Sequence, residues 1–464
     1  MKATGRLSTA ALTALEDRLD GEIIAPDHPG YDEARRIWNA SIDRRPALIV
    51  RPGTVDDVAA AIRFGREHDL PIAVRGGSHS VAGHSTCDDG LVIDLVMMKA
   101  IEVDPQARRA RVGGGTVWGE VDAATQAHGL AVTGGLISST GVGGFTLGGG
   151  IGWLQRKLGL ACDNLVAADV VTADGTTLRA SADDDRELLW GLRGGGGNFG
   201  VVTSFEFDVH PVGPTVDAGM IVWPGERAAE VLTAYAALQP HAPDELMLVA
   251  VLRLAPPAPF LPEDAHGKPM IAVAGMHIGG EEAASRDLAP LRDLGGTLAD
   301  IFQPRPYAEM QKLLDGSWTP GFQNYWKAEY LTGLPSGAID TLVEALGTIT
   351  SPLSDFKVPY LGGAMSRVGE DDTAYGHRGA PFIVNINTRW ESGGDDDGHV
   401  AWTRALWDAL QPHSSGGTYT NFTSEDDAHR VKDSYGDAKY ARLQALKRRY
   451  DPDNVFRLNQ NIQP

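Results

Sequence analysis

At 464 residues, with 42% hydrophobic and 22% charged residues, the chain has a soluble globular composition and exceeds one ordinary core, so two or more domains are expected. A formal net charge of −20 works against nucleic acid or an anionic membrane as partner, and no run of about 18 apolar residues is present to span a bilayer. Two cysteines, Cys87 and Cys162, cannot build a disulfide framework, and Met1–Gly5 leads into a charged stretch rather than an apolar signal core. The expectation is an acidic cytoplasmic protein, monomer or homodimer, with no metal site.

In chain order, Ser8 to Leu19 reads as a helix capped by Ser8, and Tyr31 to Asn39 as a second. Ala47–Val50 is a short buried strand, Thr54 to His68 a helix with Asp56 and Asp57 in its first turn, and Pro71–Val74 the next strand, making a βαβ unit. Short strands follow at 91–95, 100–103 and 110–112, then a helix over Thr116 to His128 and a strand at 130–132. A dense glycine tract occupies Gly134 to Gly152. Asn164 to Thr172 and Thr177 to Ala180 form a hairpin about Asp174-Gly175. A helix over Asp185 to Leu192 precedes the loop Arg193 to Gly200 and the strand Val201 to Val209.

Glycine tracts stop near Pro211–Pro214, a natural boundary. Beyond it, strands (Met247 to Leu254, Ile271 to His277, Val358 to Ala364, Phe382 to Trp390) alternate with helices (Gly225 to Ala237, Ala283 to Leu294, Ala338 to Ile349). The pattern predicts an α+β domain with an antiparallel sheet. The loops Ala255–Pro259 and Asp395–Asp397 are expected to be exposed, the acidic triplet as a solvated loop rather than a cation site. The tail is a basic helix, Ala438 to Tyr450, followed by amides among apolar residues at 455–462.

Three separated glycine loops demand a reason, since each glycine inside an element costs roughly 0.5–1 kcal/mol relative to alanine. In the first, Arg75-Gly76-Gly77-Ser78-His79-Ser80, the two glycines are expected to take positive φ and to approach something flat or anionic. The third, Gly195 to Gly200, matches G-x-G-x-x-G, but a helix precedes it and a strand follows, the reverse of a dinucleotide-binding βαβ unit. Phosphate-binding glycines here are therefore expected to act through loops, wrapping a large flat anionic ligand such as FAD.

The run Arg75–Ser80, the tract Thr140-Gly141-Val142-Gly143-Gly144 with Gly148–Gly152, and the stretch Arg193–Thr203 resemble the FAD domain of the vanillyl-alcohol oxidase superfamily. Tyr450–Phe456 with Asn459–Ile462 resembles the C-terminal segment of its berberine-bridge-enzyme branch. The resemblance covers nearly the whole chain. It implies an α+β fold: a two-subdomain FAD-binding domain in residues 1–212, a substrate domain with a helix-covered antiparallel sheet in 213–415, and a segment, 416–464, returning to the FAD domain.

The same resemblance implies an FAD-linked oxidase that moves a hydride from a small organic molecule to flavin, with O2 as reoxidant and H2O2 as product. A same-fold dehydrogenase, or a flavin-binding protein without turnover, is the alternative. It implies a covalent bond from His79 to the flavin. The position matching the cysteine that forms a second bond in plant members is Ile137, so one link is expected. Arg75, Gly76, Gly77, Ser78, Ser80 and Ser85 would hold pyrophosphate and ring, and Gly141, Gly143 and Gly144 would lie along the isoalloxazine, with Thr140 at the oxygen-reacting face. Gly200 and Val202 would contact the adenosine end and Asn459 the isoalloxazine region; Gly150, Asn198 and Asn421 complete the set. On the substrate side, Lys357 and Tyr360 are alternatives on opposite faces of one strand. Asn385 occupies a position that is polar and catalytic in plant members but cannot itself be a base, and Tyr419 is a base or hydrogen-bond partner. Cys87 and Cys162 are expected to be packed.

Overall fold

The computed structural model describes residues 7–464; Met1–Gly5, read above for a targeting signal, and Arg6 lie outside the described residues. The βαβ unit is present. Leu48–Arg51 and Ile72–Arg75 both pair in parallel with Leu91–Asp94, which lies between them, and Glu22–Ile24 adds an antiparallel edge. The intervening helix, Val55–Glu67, starts where Thr54 and Asp57 cap each other reciprocally, at 3.2 and 3.1 Å, satisfying N–H groups that the first turn leaves unpaired.

A five-stranded antiparallel sheet follows, in the order Ile101–Asp104, Arg109–Gly113, Val201–Asp208, Leu165–Val171, Thr177–Ser181. Alternate residues of Val201–Asp208, including Phe205 and Phe207, are fully buried in its core. The C-terminal helix, Gly436–Tyr450, packs Leu443, Leu446 and Tyr450 into that same core, against Leu188 and Leu189 of the helix Arg186–Leu192.

The remaining large sheet is antiparallel, with the long strands ordered Thr215–Pro224, Pro269–His277, Leu246–Leu254, Asp355–Pro359, Phe382–Trp390, Gln323–Leu331. Along Leu246–Leu254 the side chains alternate. Leu248, Ala250 and Leu252 pack under the covering helices with Val231, Leu342 and Leu406. Met247, Val249 and Val251 face the other way, toward Trp153 and Leu154, which directly follow the glycine-rich tract.

Several expectations are corrected. The helix expected over 31–39 stops at Ala34, and residues 38–41 run on as a strap between the first sheet and the large one. The strand expected at 358–364 is Asp355–Pro359. Asp395–Asp397 is exposed as expected but is not a loop: Asp395 accepts a hydrogen bond from the Gly398 amide at 3.0 Å and starts the helix Asp396–Leu410, with Asp396 and Asp397 at its positive end. The strands Thr215–Pro224 and Gln323–Leu331 went unpredicted. The second is an edge strand that carries Lys327 and Glu329 buried, where Asp427 and Arg430 neutralise them at 2.6 and 2.9 Å. No helix among the described residues is long and apolar enough to cross a membrane.

Candidate active site

The three glycine loops, the C-terminal segment and the flat face of the large sheet close around one cavity of about 1930 Å³, open mouth included. Its first wall is 76–85. Gly76 and Gly77 are not at positive φ; Ser78 is, at 62°. The glycines are needed because two backbones cross. A Cβ on Gly77 would sit 2.3 Å from the Gly141 amide nitrogen, and one on Gly141 would sit 2.2 Å from the Gly77 nitrogen. The first and second glycine loops thus touch without side chains between them. Gly141 precedes a one-and-a-half-turn helix, Val142–Leu147, so this tract is not the pure loop expected.

His79 stands on this wall. Its Nε2 pairs with Ser139 Oγ at 2.8 Å, and its ring stacks on Trp38 with centroids 4.9 Å apart. Burial pushes its imidazole down to about 4, so the ring is neutral near pH 7 and one nitrogen holds a free lone pair. Ser138 is pinned by Asp315, which accepts from its amide at 2.9 Å and from its hydroxyl at 2.5 Å. The loop that partners His79 is therefore fixed by a residue 177 positions further along the chain.

Of the residues assigned from sequence, Gly76, Gly77, Ser78, His79, Ser80 and Ser85 line the cavity. So do Thr140, Gly141, Gly143 and Gly144, with Gly200, Val202, Asn421 and Asn459. Lys357 and Asn385 line it from the large sheet. The others stand behind the wall. Arg75 is buried and donates to the Ser85 carbonyl at 3.1 Å and to the Ala34 carbonyl, close to Asp94; it braces the loop. Gly150, at φ 96°, has no room for a Cβ, which would meet Ala161 at 2.5 Å. Asn198 ties the third loop to the tail, donating to Gly195 and Gln460 carbonyls and accepting from the Ile462 amide.

Tyr419 is also displaced from the chemistry. Its hydroxyl oxygen accepts from the Gly150 and Ile151 amides at 2.8 and 3.2 Å and from Asn421 Nδ2 at 2.9 Å, and burial pushes it up to about 12. It is a structural anchor. Lys357 and Tyr360 do lie on opposite sides: Lys357 reaches the cavity, whereas Tyr360 packs on Phe382 under the Arg156 guanidinium. Both cysteines are buried, and burial pushes the Cys87 thiol up to about 12 and the Cys162 thiol well up from its ordinary value.

The sequence reading missed an aromatic group. Trp38 stacks on Trp318 at 6.1 Å, and Trp326 stands edge-on to both, at 5.9 and 5.5 Å. No local pattern links residues 38, 318 and 326. It also missed His84, whose imidazole burial and Arg44 push down to about 4, and Asn387, which shares a strand face with Asn385 two residues away and was recoverable from that period. No Asp or Glu lines the cavity among the described residues.

FAD fits this lining. Gly144 and Gly197 border the cavity and lack positive φ, and a Cβ added to either would have no protein atom within 4 Å; what a side chain there would meet is the cavity's occupant. Ser85 Oγ and Asn459 Oδ1 are buried on the same lining without protein partners, which costs free energy unless a ligand supplies them.

Fold and cavity together define an FAD-linked oxidoreductase. Residues 46–181 match the family described as FAD binding domain, and residues 418–463 the family described as berberine and berberine like. Over 454 residues the chain is 33% identical to (R)-6-hydroxynicotine oxidase of Paenarthrobacter nicotinovorans, covering 96% of this chain and 97% of that one. The crystal structure of 6-hydroxy-D-nicotine oxidase from Arthrobacter nicotinovorans superposes with a TM-score of 0.87 at 32% identity, covering 96% and 98%. Glucooligosaccharide oxidase from Acremonium strictum, studied for its 6-S-cysteinyl, 8α-N1-histidyl FAD, shares the fold at a TM-score of 0.86 and 22% identity, covering 98% and 99%. The chain belongs to the berberine-bridge-enzyme-like FAD-linked oxidoreductases.

Proposed function

We propose that this protein is an oxidase that carries FAD through one covalent bond from His79, acts on a small organic substrate and uses O2 as electron acceptor, giving H2O2. Residues 1–212 and 416–464 would form its flavin half and 213–415 its substrate half. The observation that carries the reading is His79: a neutral imidazole on the cavity wall, with Nε2 engaged by Ser139 Oγ and no protein partner for Nδ1. A neutral ring nitrogen with a free lone pair is what covalent attachment requires. The histidyl flavin of the glucooligosaccharide oxidase supports the type of bond, and Ile137 at the cavity wall supports one bond rather than two.

Bound FAD supplies a two-electron acceptor for a hydride. The chain supplies position and surroundings. Backbone at 76–80 and 141–144 approaches closely because no side chains intervene. Lys357 Nζ, bound to Asp355 at 2.5 Å and to Asn387 Oδ1 at 3.0 Å, fixes a positive charge at the substrate side. Burial pushes this lysine down while Asp355 opposes that shift. With no carboxylate on the lining, substrate activation would rest on the neutral His84, on Lys357 or on hydrogen bonding by Asn385, and not on a carboxylate base.

Acid precipitation of the purified protein tests the bond: the pellet should stay yellow, and a colourless pellet over a yellow supernatant would remove it. Photoreduction followed by admission of air tests the acceptor. Reoxidation within seconds with stoichiometric peroxide is expected of an oxidase, and a reduced state lasting many minutes would indicate a dehydrogenase.

A further inference from the structure

Ser139 is only as well placed as the loop that carries it. Its hydroxyl meets His79 Nε2 at 2.8 Å, and it makes no other hydrogen bond with the described residues. Nothing of its own therefore keeps it beside the histidine. The neighbouring Ser138 is anchored three times. Its carbonyl accepts from the Gly119 amide at 2.8 Å, its amide donates to Asp315 Oδ1 at 2.9 Å, and its hydroxyl donates to Asp315 Oδ2 at 2.5 Å.

Two of those three anchors come from one side chain. Asp315 is half-buried and gives both carboxylate oxygens to Ser138; among the described residues no cation or other donor shares them. Its backbone is held separately, the amide donating to the Lys312 carbonyl at 3.1 Å and the carbonyl accepting from the Trp318 amide at 3.0 Å. The turn Asp315–Ser317, and with it Trp318 against Trp38, therefore keeps its own bonds when the carboxylate is taken away. The side chain reaches the histidine by one route, through Ser138 to Ser139. A neutral imidazole carries one N–H and one lone pair. With Nε2 engaged by Ser139, Nδ1 is the nitrogen left to form a bond.

We propose that Asp315 is the positioning residue for flavin attachment: it holds Ser138 through both carboxylate oxygens, keeps Ser139 on His79 Nε2, and so presents Nδ1 to the flavin. The inference rests on the covalent reading above and adds the residue that controls how fast the bond forms. In that step one C–H of the flavin 8α-methyl group and the one N–H of His79 are replaced by a single C–N bond. The two hydrogens and two electrons go to O2, giving H2O2. Because Asp315 acts through Ser139, it can contribute no more to the rate than Ser139 does, and the two contributions cannot add.

The test is a double-mutant cycle on the full chain, made in cells short of riboflavin and mixed with FAD in air. In-gel flavin fluorescence follows attachment. Reversible FAD affinity is read separately with His79→Ala in place. Asp315→Ala should slow attachment about two- to fivefold, as Ser139→Ala does, and the double variant should be no slower than the slower single one by more than about 1.5-fold; independent effects would multiply to roughly 4- to 25-fold. Affinity for FAD should change by less than about twofold. Asp315→Asn should restore the rate, since its oxygen accepts from the Ser138 amide and its NH2 donates to the Ser138 hydroxyl. If Asp315→Ala does not fold, Ser138→Ala takes its place in the cycle. Attachment at the wild-type rate without the carboxylate, effects that multiply in the double variant, a loss of affinity as large as the loss of rate, or an asparagine variant as slow as alanine overturns the proposal. With a wild-type acid pellet that is yellow, any of these removes this inference alone. A colourless wild-type pellet removes the covalent reading and this inference with it.

Discussion

Asp122 offers the sharpest check on how the helix Trp118–Gln126 is joined to the helix Tyr307–Met310. It lies on the helix Trp118–Gln126, 3% exposed, and accepts from Gln311 Nε2 at 3.1 Å across the contact with the helix Tyr307–Met310. Tyr307 is fully buried beside it, and its hydroxyl makes no hydrogen bond within the protein. Burial raises the Asp122 carboxyl from its ordinary 3.8 to about 7, with Gln311 and Tyr307 pulling the other way. The folded state therefore holds this proton where the unfolded chain has already released it. Stability from this group is complete below pH ~4 and is lost as pH rises toward 7, at ~1.36 kcal/mol per pH unit, or about 4 kcal/mol in all. Asp122→Asn keeps the size and the acceptor and removes the titration. Urea midpoints of wild type and variant, measured in parallel from pH 5 to pH 8.5, should diverge as pH rises, with the variant gaining about 2–3 kcal/mol over that span. Superimposable profiles, or a gap widening toward acid, would refute the argument that a neutral carboxyl bridges this contact.

Three further outcomes follow from the same geometry. Ser139→Ala removes the hydroxyl that engages His79 Nε2 at 2.8 Å; at the low end of ~0.5–1.5 kcal/mol for such a bond, in-gel flavin fluorescence should report covalent incorporation slowed by roughly two- to fivefold, whereas His79→Ala should abolish it and leave FAD reversibly bound. Gly77→Ala drives a methyl group to 2.3 Å from the Gly141 nitrogen, a backbone clash costing about 1–3 kcal/mol, and the flavin-to-protein absorbance ratio of the purified variant should drop. Lys447 is fully buried and donates to Asp451 at 2.7 Å and to the Asn198 and Phe456 carbonyls; Lys447→Met should cost about 3–5 kcal/mol by calorimetry, with part returned by adding Asp451→Asn.

The first 210 or so residues were legible because their signals are local. Turn glycines, a reciprocal cap at Thr54 and Asp57, and buried runs such as Leu48–Val50 each declare themselves within a few residues. What misled was the reason for a glycine. Positive φ and close contact leave the same letter in a sequence, and only the fold shows that Gly77 and Gly141 are small for each other while Ser78 takes the left-handed conformation. The large sheet was harder because charge hides strands. Gln323–Leu331 carries Lys327 and Glu329 inward, and their partners Asp427 and Arg430 lie about a hundred residues away. Period-2 alternation did separate Lys357 from Tyr360, and it would also have recruited Asn387 alongside Asn385.

The strap at 38–41 explains why the histidine loop and the sheet wall of the cavity arise as one structure. Trp38 donates its backbone N–H to the Ser78 carbonyl at 3.1 Å and its indole N–H to the Trp318 carbonyl at 3.3 Å, while its ring covers His79. Asn39, 1% exposed, donates to the Val81 and Asn324 carbonyls at 2.8 and 3.0 Å and accepts from the Asn324 amide at 3.0 Å. One side of each pair belongs to the histidine loop and the other to the strand Gln323–Leu331 of the large sheet or the loop that leads into it. These bonds are buried, so their loss would leave unpaired backbone groups on both sides at once. The stack His79–Trp38–Trp318, capped by Lys357, is then a continuous wall whose two ends cannot shift independently. In a chain whose cavity is built by crossing segments, the residue that orders the histidine loop also fixes the position of the tryptophan beside it.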